Sequence, residues 1–380
     1  MQNQNLDTIY SFLEGEKDGL NKAERVLIDA GLMSTKTLLC NHPRGHVCKL
    51  WRDCAKVAWD DKCDYFVLMG DDVKLKDEGW MRDVHAEFSR LAKTQPGIPF
   101  GFGCVAFTDI TFPGMPTFPV VHRTHLDIFN GEIILSVFIN QDGDPFLYQL
   151  YRRWGCSTMI GNKISNEVGG ESAARYEKKH THDWTFGTLS SAVTTVEHWL
   201  QTRAELNGFS IPQKFLTLDV VIPCYRVDLG ILDTILQLLT SDFCTTMFII
   251  IVDDPNSPNI ATLNQRHAHR PDARIRVNSV NSGASYSRNR RMEESAADWV
   301  YFLDDDIIPS PDLLLQAERI IRSNLNAVGF VGNTFFPPAN TIFTAALHLS
   351  GVIFFWNIAS KIPTDIHWGV TANIIARRNV

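Results

Sequence analysis

Trp299-Val300-Tyr301-Phe302-Leu303 runs without a break into Asp304-Asp305-Asp306, and Pro309-Ser310-Pro311-Asp312 follows. The apolar run has no polar alternation that would leave a face for water, so it reads as a strand buried on both sides. Ser310 suits an N-cap and Pro311 the first position of a helix over Asp312 to Arg322. The acids then stand at the carboxyl end of a central strand, where open α/β sheets hold their ligands. Carboxylates this close repel one another, and a divalent cation relieves the repulsion. An all-oxygen donor set suits Mg2+ or Mn2+. A solvated acidic turn is the plain alternative.

Working outward, Leu218-Asp219-Val220-Val221-Ile222-Pro223 is a β-branched strand halted by proline, and Cys224-Tyr225-Arg226 turns. Apolar spacing predicts a helix over Leu229 to Leu239. Met247 to Val252 is a second apolar strand ending in Asp253-Asp254. A helix over Ile260 to His269 and a short strand over Arg274 to Val277 follow, then the turn Asn281-Ser282-Gly283 and a helix over Ser287 to Ala296. Strands alternating with helices imply an α/β fold with a mainly parallel sheet and right-handed crossovers. Two strands end in aspartates at one edge. There Asp253 can accept hydrogen bonds from a base or ribose, or cap a helix. The small residues Gly283-Ala284-Ser285 let backbone approach a ligand. Arg288 and Arg291 can face a diphosphate, with a surface salt bridge as the alternative for Arg288.

At 380 residues the chain has room for about two domains. Its net charge of -7 and pI of about 5.9 argue against a nucleic-acid-coating protein. Eight cysteines without a CxxC pair imply reduced thiols, and the polar start Met1 to Asp7 lacks the order of a signal peptide. Both point to the cytoplasm. The spacing of Cys40, His42, His46 and Cys48 fits no common zinc finger. Phe343 to Ala359 is the most membrane-like stretch, but it holds His348, Ser350 and Asn357 and is short for a span. It is expected as a buried or substrate-facing helix, and no transmembrane segment is evident.

The series VVIPCYR, IIIVDD, NSGASYSRNR, WVYFLDDD and GVTANIIARR, in this order over Leu218 to Val380, resembles the family 2 glycosyltransferases of the GT-A fold. The resemblance implies a nucleotide-sugar site. It places Pro223 and Tyr225 in the nucleotide-binding turn and Asp253 on the base. Asp304 and Asp306 become the DxD pair, with Asp306 the more direct ligand of Mn2+ or Mg2+. Asn373 and Arg377 match the segment that precedes the family's late acidic motif, which supplies the general base. Inversion at the anomeric carbon follows from the resemblance alone.

The first half carries a related pattern. Cys63-Asp64-Tyr65-Phe66-Val67-Leu68-Met69-Gly70-Asp71-Asp72-Val73 lies over Ala297 to Ile307 without a gap, and Asn41, Gly45 and Arg52 align with Asn281, Gly283 and Arg288 if small gaps are allowed. This reads as an internal repeat, a diverged second GT-A domain. Gly70 replaces the first acid of the pair, which leaves Asp72 as the metal ligand. A helix is expected over Glu78 to Ala92, and Leu6 to Met33 is expected to be mostly helical. Phe138 to Pro145, leading into a helix over Phe146 to Trp154, resembles the late acidic motif. It makes Asp142 or Asp144 the general base, with an N-cap role as the alternative for Asp144. The loop Phe107 to Pro119 suits an acceptor platform or an ordered structural loop, and His122, His125 and His180 are unassigned.

Each half lacks what the other keeps, as expected of a tandem glycosyltransferase cut at both ends. Domains are placed at 1–200 and 217–380 with a linker at 201–216. The leading function is metal-assisted transfer of a sugar from a UDP- or GDP-sugar to a hydroxyl acceptor such as a glycan. One alternative is a non-catalytic module that binds nucleotide sugars or glycans. Another is a nucleotidyltransferase, although Pro223 to Arg226 stands where that class has a glycine-rich loop.

Overall fold

A computed structural model of the chain describes residues 8–12, 25–26, 28–29, 34–38, 40–70, 72–166, 176–356, 358–362, 366 and 369–378. Its contacts divide the chain into two compact units. The first is 1–112, 116–151 and 156–213; the second is 113–115, 152–155 and 214–380. The division at 213 lies inside the expected linker, of which Gln201 to Asn207 is the end of a helix.

In the first unit β1 (Thr8–Phe12) pairs in parallel with β2 (Ser34–Leu38). A strand at Thr8–Phe12 corrects the expectation of helix there, because Thr8, Ile9, Tyr10 and Phe12 are β-branched or aromatic. Residues 25, 26, 28 and 29 are helical. The remainder of 13–33 lies outside the described residues, as does Asp71. Then come α1 (Val47–Asp60), β3 (Tyr65–Val67), β4 (Val73–Leu75), α2 (Trp80–Leu91), β5 (Cys104–Asp109), β6 (Val120–His122), α3 (Arg123–Ile128), α4 (Gly143–Arg152), β7 (Ser157–Asn166) and α5 (Leu189–Asn207). The sheet order is β3-β6-β5-β7-β4. Helix α2 places Val84, Phe88 and Leu91 on one face, buried against Val105 and Phe107 of β5 and Val120 of β6. Burial contributes about 1.5–3 kcal/mol for each large side chain.

The second unit contains β8 (Leu216–Cys224), α6 (Leu229–Ile235), β9 (Cys244–Val252), α7 (Ile260–His267), β10 (Ala273–Val277), α8 (Gly283–Glu294), β11 (Trp299–Leu303), α9 (Leu313–Ser323), β12 (Gly329–Val331), α10 (Ile342–Ser350) and β13 (Asn373–Arg377). The sheet order is β10-β9-β8-β11-β13-β12. Strands β8, β9, β10 and β11 run parallel, and β13 enters antiparallel between β11 and β12. From β8 the chain steps outward to β9 and β10, then returns to the other flank of β8 as β11. The strand order therefore reverses between β8 and β11, and a crevice at their carboxyl ends is the place such sheets use for ligands.

Three local expectations change. Helix α8 begins at Gly283 rather than Ser287, so the small-residue turn is its first turn; Gly283 takes φ +84°, which suits glycine. The residue flanking the start of α9 is Asp312, without a side-chain capping bond, and Leu313 instead donates its N–H to the Ser310 carbonyl at 3.0 Å. Helix α10 buries none of its residues, which removes the reading of a buried helix there. No helix among the described residues is long and apolar enough to cross a membrane.

Candidate active site

The edge of the second sheet is built from the ends of β8, β9 and β11. Strand β8 pairs with β11 only as far as Val221, whereas it stays paired with β9 through Cys224. Pro223 therefore sits where the β11 flank is already open, and its missing N–H removes no ladder bond on that side. Beyond it Tyr225 is 55% exposed, and Val227 is buried with φ +56°, an uncommon backbone for a β-branched residue. Asp228 fixes the exit of this turn by accepting the N–H groups of Gly230 and Ile231 at 2.9 and 3.1 Å. Sequence reading missed Val227, because nothing in a valine signals left-handed backbone.

Asp253, at the end of β9, is only 4% exposed. Its Oδ1 accepts from Asn278 Nδ2 (2.6 Å), the Ser282 N–H (3.0 Å) and Ser287 Oγ (3.2 Å), and its Oδ2 accepts the Gly283 N–H at 2.7 Å. Burial alone would raise its pKa, but these four bonds outweigh burial and hold the carboxyl below its ordinary range. Asp253 thus orders the start of α8. One lone pair of Oδ2 is left for a ligand by this count. Asn278 is a second missed residue; it receives the Arg290 guanidinium on its own carbonyl oxygen at 2.7 Å.

The three acids after β11 differ from one another. Asp304 pairs with Arg288 Nη2, Asp305 Oδ2 accepts the Tyr225 N–H at 3.3 Å, and Asp306 is exposed. Burial first, and the neighbouring Asp306 next, push the Asp305 carboxyl above its ordinary range. The structure thus brings Tyr225, Arg288, Asp304 and Asp305 together at the β8–β11 crevice, with Asp306 next in the chain. An all-oxygen cluster of this kind fits a hard divalent cation. Arg288 Nε is buried and without a hydrogen-bond partner, so one donor there is open to an anion. Asn373 stands opposite Leu303, the residue before Asp304, and accepts the Tyr301 hydroxyl at 2.7 Å. Arg377 stacks over Trp299 at 5.8 Å and donates to the Leu325 carbonyl at 2.9 Å.

The first-unit acids form a separate group. Asp144 lies in the first turn of α4, not at its N-cap, which corrects that reading; its Oδ2 accepts the N–H of Phe118 at 3.2 Å. Phe118 holds φ +49°. Part of Asp144 remains exposed, but its carboxyl is enclosed, and burial pushes its pKa up to about 7. Asp142, at φ +71°, pairs through Oδ1 with His180 Nδ1 at 3.1 Å and accepts the Thr181 N–H on Oδ2 at 2.7 Å. His180 lies 38 residues away in sequence, so no local signal links it to Asp142. A Cβ on Gly70 would stand 2.6 Å from Asp72 Oδ1 and 3.7 Å from Phe118 Cε1. Gly70, Asp72, Phe118 and Asp144 therefore make one chain of contacts. In the intervening loop the buried Asp109 accepts from the Thr111 and Phe112 N–H groups and from Thr117 Oγ1.

Residues 219–363 match the model of glycosyl transferase family 2. Over these residues, which lie within the second unit, the chain resembles glycosyltransferase family 2. The sheet there is mixed and flanked by helices, the α/β class that the sequence implies. An uncharacterized glycosyltransferase of Haemophilus influenzae is 31% identical over 109 residues, which are 29% of this chain and 36% of the relative. The match thus spans about a third of that relative's length. Among solved structures, S. aureus TarS 1-349 aligns at 13% identity and a TM-score of 0.30, over 33% of this chain and 38% of its own. The mannosyltransferase PcManGT from Pyrobaculum calidifontis, solved with GDP-Man and Mn2+, aligns at 14% identity and a TM-score of 0.31, over 42% and 44%.

Proposed function

We propose that the second unit binds a nucleotide diphospho-sugar, with UDP or GDP as the nucleotide, and that the chain transfers its sugar to a hydroxyl acceptor such as a glycan. The observation that carries this reading is the convergence of Tyr225, Arg288 and the Asp304–Asp306 run at the β8–β11 crevice. In this reading the turn from Pro223 to Asp228 seats the nucleoside, and Asp253 meets the base while ordering Gly283 and α8. Arg288 takes an oxygen of the diphosphate with its guanidinium. Asp306 and Asp304 hold Mn2+ or Mg2+. When bound, such an ion offsets the charge that builds on the departing diphosphate. Inversion at the anomeric carbon is the stereochemistry the family suggests. The eight cysteines form no disulfide, in keeping with a reducing compartment such as the cytoplasm.

We further infer that the first unit is a diverged copy of the same domain. What supports this is a shared plan: an acid-tipped strand, a helix, a strand, and a returning strand that pairs antiparallel between the two. In that copy Asp72 is the remaining metal-site acid. Asp142 or Asp144 is the acid suited to take the acceptor proton, and a carboxyl titrating near neutrality is apt for that work.

Calorimetric titration with UDP and with GDP, each with and without Mn2+, tests the donor site. Metal-dependent binding of one nucleotide is expected, and binding of neither overturns the reading. Release of free nucleotide on incubation with donor and acceptor marks sugar transfer. Release of pyrophosphate would mark a nucleotidyltransferase instead, and binding without turnover a binding module.

A further inference from the structure

We propose that Cys40, His42 and Asp53 form a second cation site, in the first unit and chemically unlike the Asp304–Asp306 run, that takes a borderline-soft ion such as Zn2+. Cys40 and His42 stand two residues apart on the segment leading into α1, and Asp53 lies in the second turn of that helix. Cys40 Sγ is 3.8 Å and His42 Nε2 is 2.6 Å from the same Asp53 Oδ2. One ligand atom from each residue lies within 4.8 Å of the others. A thiol, an imidazole and a carboxylate are the three side chains that zinc sites combine, whereas the second-unit acids offer oxygen alone.

Two plainer readings explain less. An ion pair between His42 and Asp53 accounts for one contact but not for a thiol aimed at the same oxygen, since a thiol is a weak donor. A Cys–His–Asp nucleophile needs a thiolate favoured by its surroundings. Here burial first, and the Asp53 carboxylate next, push the Cys40 thiol up, against that use. A cation reverses the balance, because thiolate, carboxylate and imidazole all gain by facing it. Uptake releases the Cys40 proton, so affinity should rise with pH. The ion would fasten residues 40–42 to α1.

The test is titration of the full, chelator-treated chain with Co2+, a zinc surrogate whose sulfur-to-metal charge-transfer band in the near ultraviolet reports thiolate ligation. One equivalent of band-forming Co2+, displaced by Zn2+, is expected. Cys40→Ser should abolish the band. His42→Ala and Asp53→Asn should each weaken Co2+ binding at least about tenfold, since loss of a ligand's neighbour alone costs about 10–100-fold. Cys63→Ser, which alters a thiol outside the cluster, should leave the band in place, and far-ultraviolet circular dichroism checks that each variant folds. Absence of the band, its survival in Cys40→Ser, or its loss in Cys63→Ser would overturn the assignment. Co2+ held only by Asp304 and Asp306 gives no sulfur band, so the readout does not depend on the donor site.

Discussion

In β3, Tyr65, Phe66 and Val67 stand opposite His122, Val121 and Val120; in β11, Trp299, Val300 and Tyr301 stand opposite Arg377, Ala376 and Ile375. Laying 65–67 on 299–301 carries 122–120 onto 377–375 without a gap. The next residue of each returning strand, Arg123 or Arg378, donates its N–H to the carbonyl of Asp64 or Asp298, at 2.7 and 2.9 Å. The difference begins at the tip. Where β11 leads to Asp304, β3 leads to Gly70. Arg288 pairs with Asp304, while Arg52, its counterpart, donates to the Leu135 and Phe138 carbonyls at 3.1 Å each. Where the strand tip carries glycine in place of the carboxylate, the guanidinium is turned to main-chain carbonyls. The same frame carries an arginine–carboxylate pair in one unit and an arginine bound to its own loops in the other.

Substitutions can break or sharpen that contrast. Asp306→Ala should abolish Mn2+-dependent nucleotide binding in calorimetry with the circular dichroism spectrum unchanged; retained binding would dissolve the donor-site assignment. Arg288→Ala should weaken nucleotide binding about ten- to a hundredfold, the scale of a charged hydrogen bond of about 1.5–3 kcal/mol. Arg52→Ala should leave nucleotide affinity alone and lower the melting temperature instead. If both variants lost affinity equally, the two arginines would share one role. Gly70→Asp should destabilise the chain by about 1–3 kcal/mol in denaturant titration, because Asp72 Oδ1 already stands 2.6 Å from the new Cβ.

Smaller effects follow from the first-unit acids. The folded carboxyl of Asp144 titrates near 7 against an ordinary 3.8. The folded state therefore holds that proton more tightly than the unfolded chain. Its stabilising contribution is full below the ordinary value and is lost as pH rises towards about 7. Asp144→Asn should flatten this part of the stability–pH curve, and an unchanged slope would show that the carboxyl is not enclosed. Asp72→Ala should change nucleotide affinity about twofold or less, as expected of a surface change within about 0.5 kcal/mol. A loss as large as that of Asp306→Ala would mean that both acid-tipped strands hold donors.

The middle of the second unit's sheet was legible because β8, β9 and β11 are largely apolar runs, two of which stop at acids, so period and punctuation agree there. Asp304, Asp306 and Arg288 were legible as charged residues at the end of a strand and the start of a helix. The pairing of Arg288 with Asp304 was not, since it joins two elements through space. Gly283 was read as a turn because glycine disfavours helix, and only the Asp253 carboxylate gathering the Ser282 and Gly283 N–H groups starts the helix there. Thr8–Phe12 was misread because its neighbours suggested a helix, while its own β-branched and aromatic residues favoured a strand. The meeting of Asp53 with Cys40 and His42 could not be read, because a zinc-finger spacing expects its ligands close together in sequence.

The Arg288–Asp304 pair also sets how donor and cation would influence each other. A cation taken on Asp304 Oδ1, or a diphosphate taken on Arg288 Nη2, would displace the bond that joins these two atoms. One rupture serves both, so whichever ligand arrives first has already met the cost of separation for the second. The coupling is therefore reciprocal: the factor by which Mn2+ tightens nucleotide binding must equal the factor by which the nucleotide tightens Mn2+ binding.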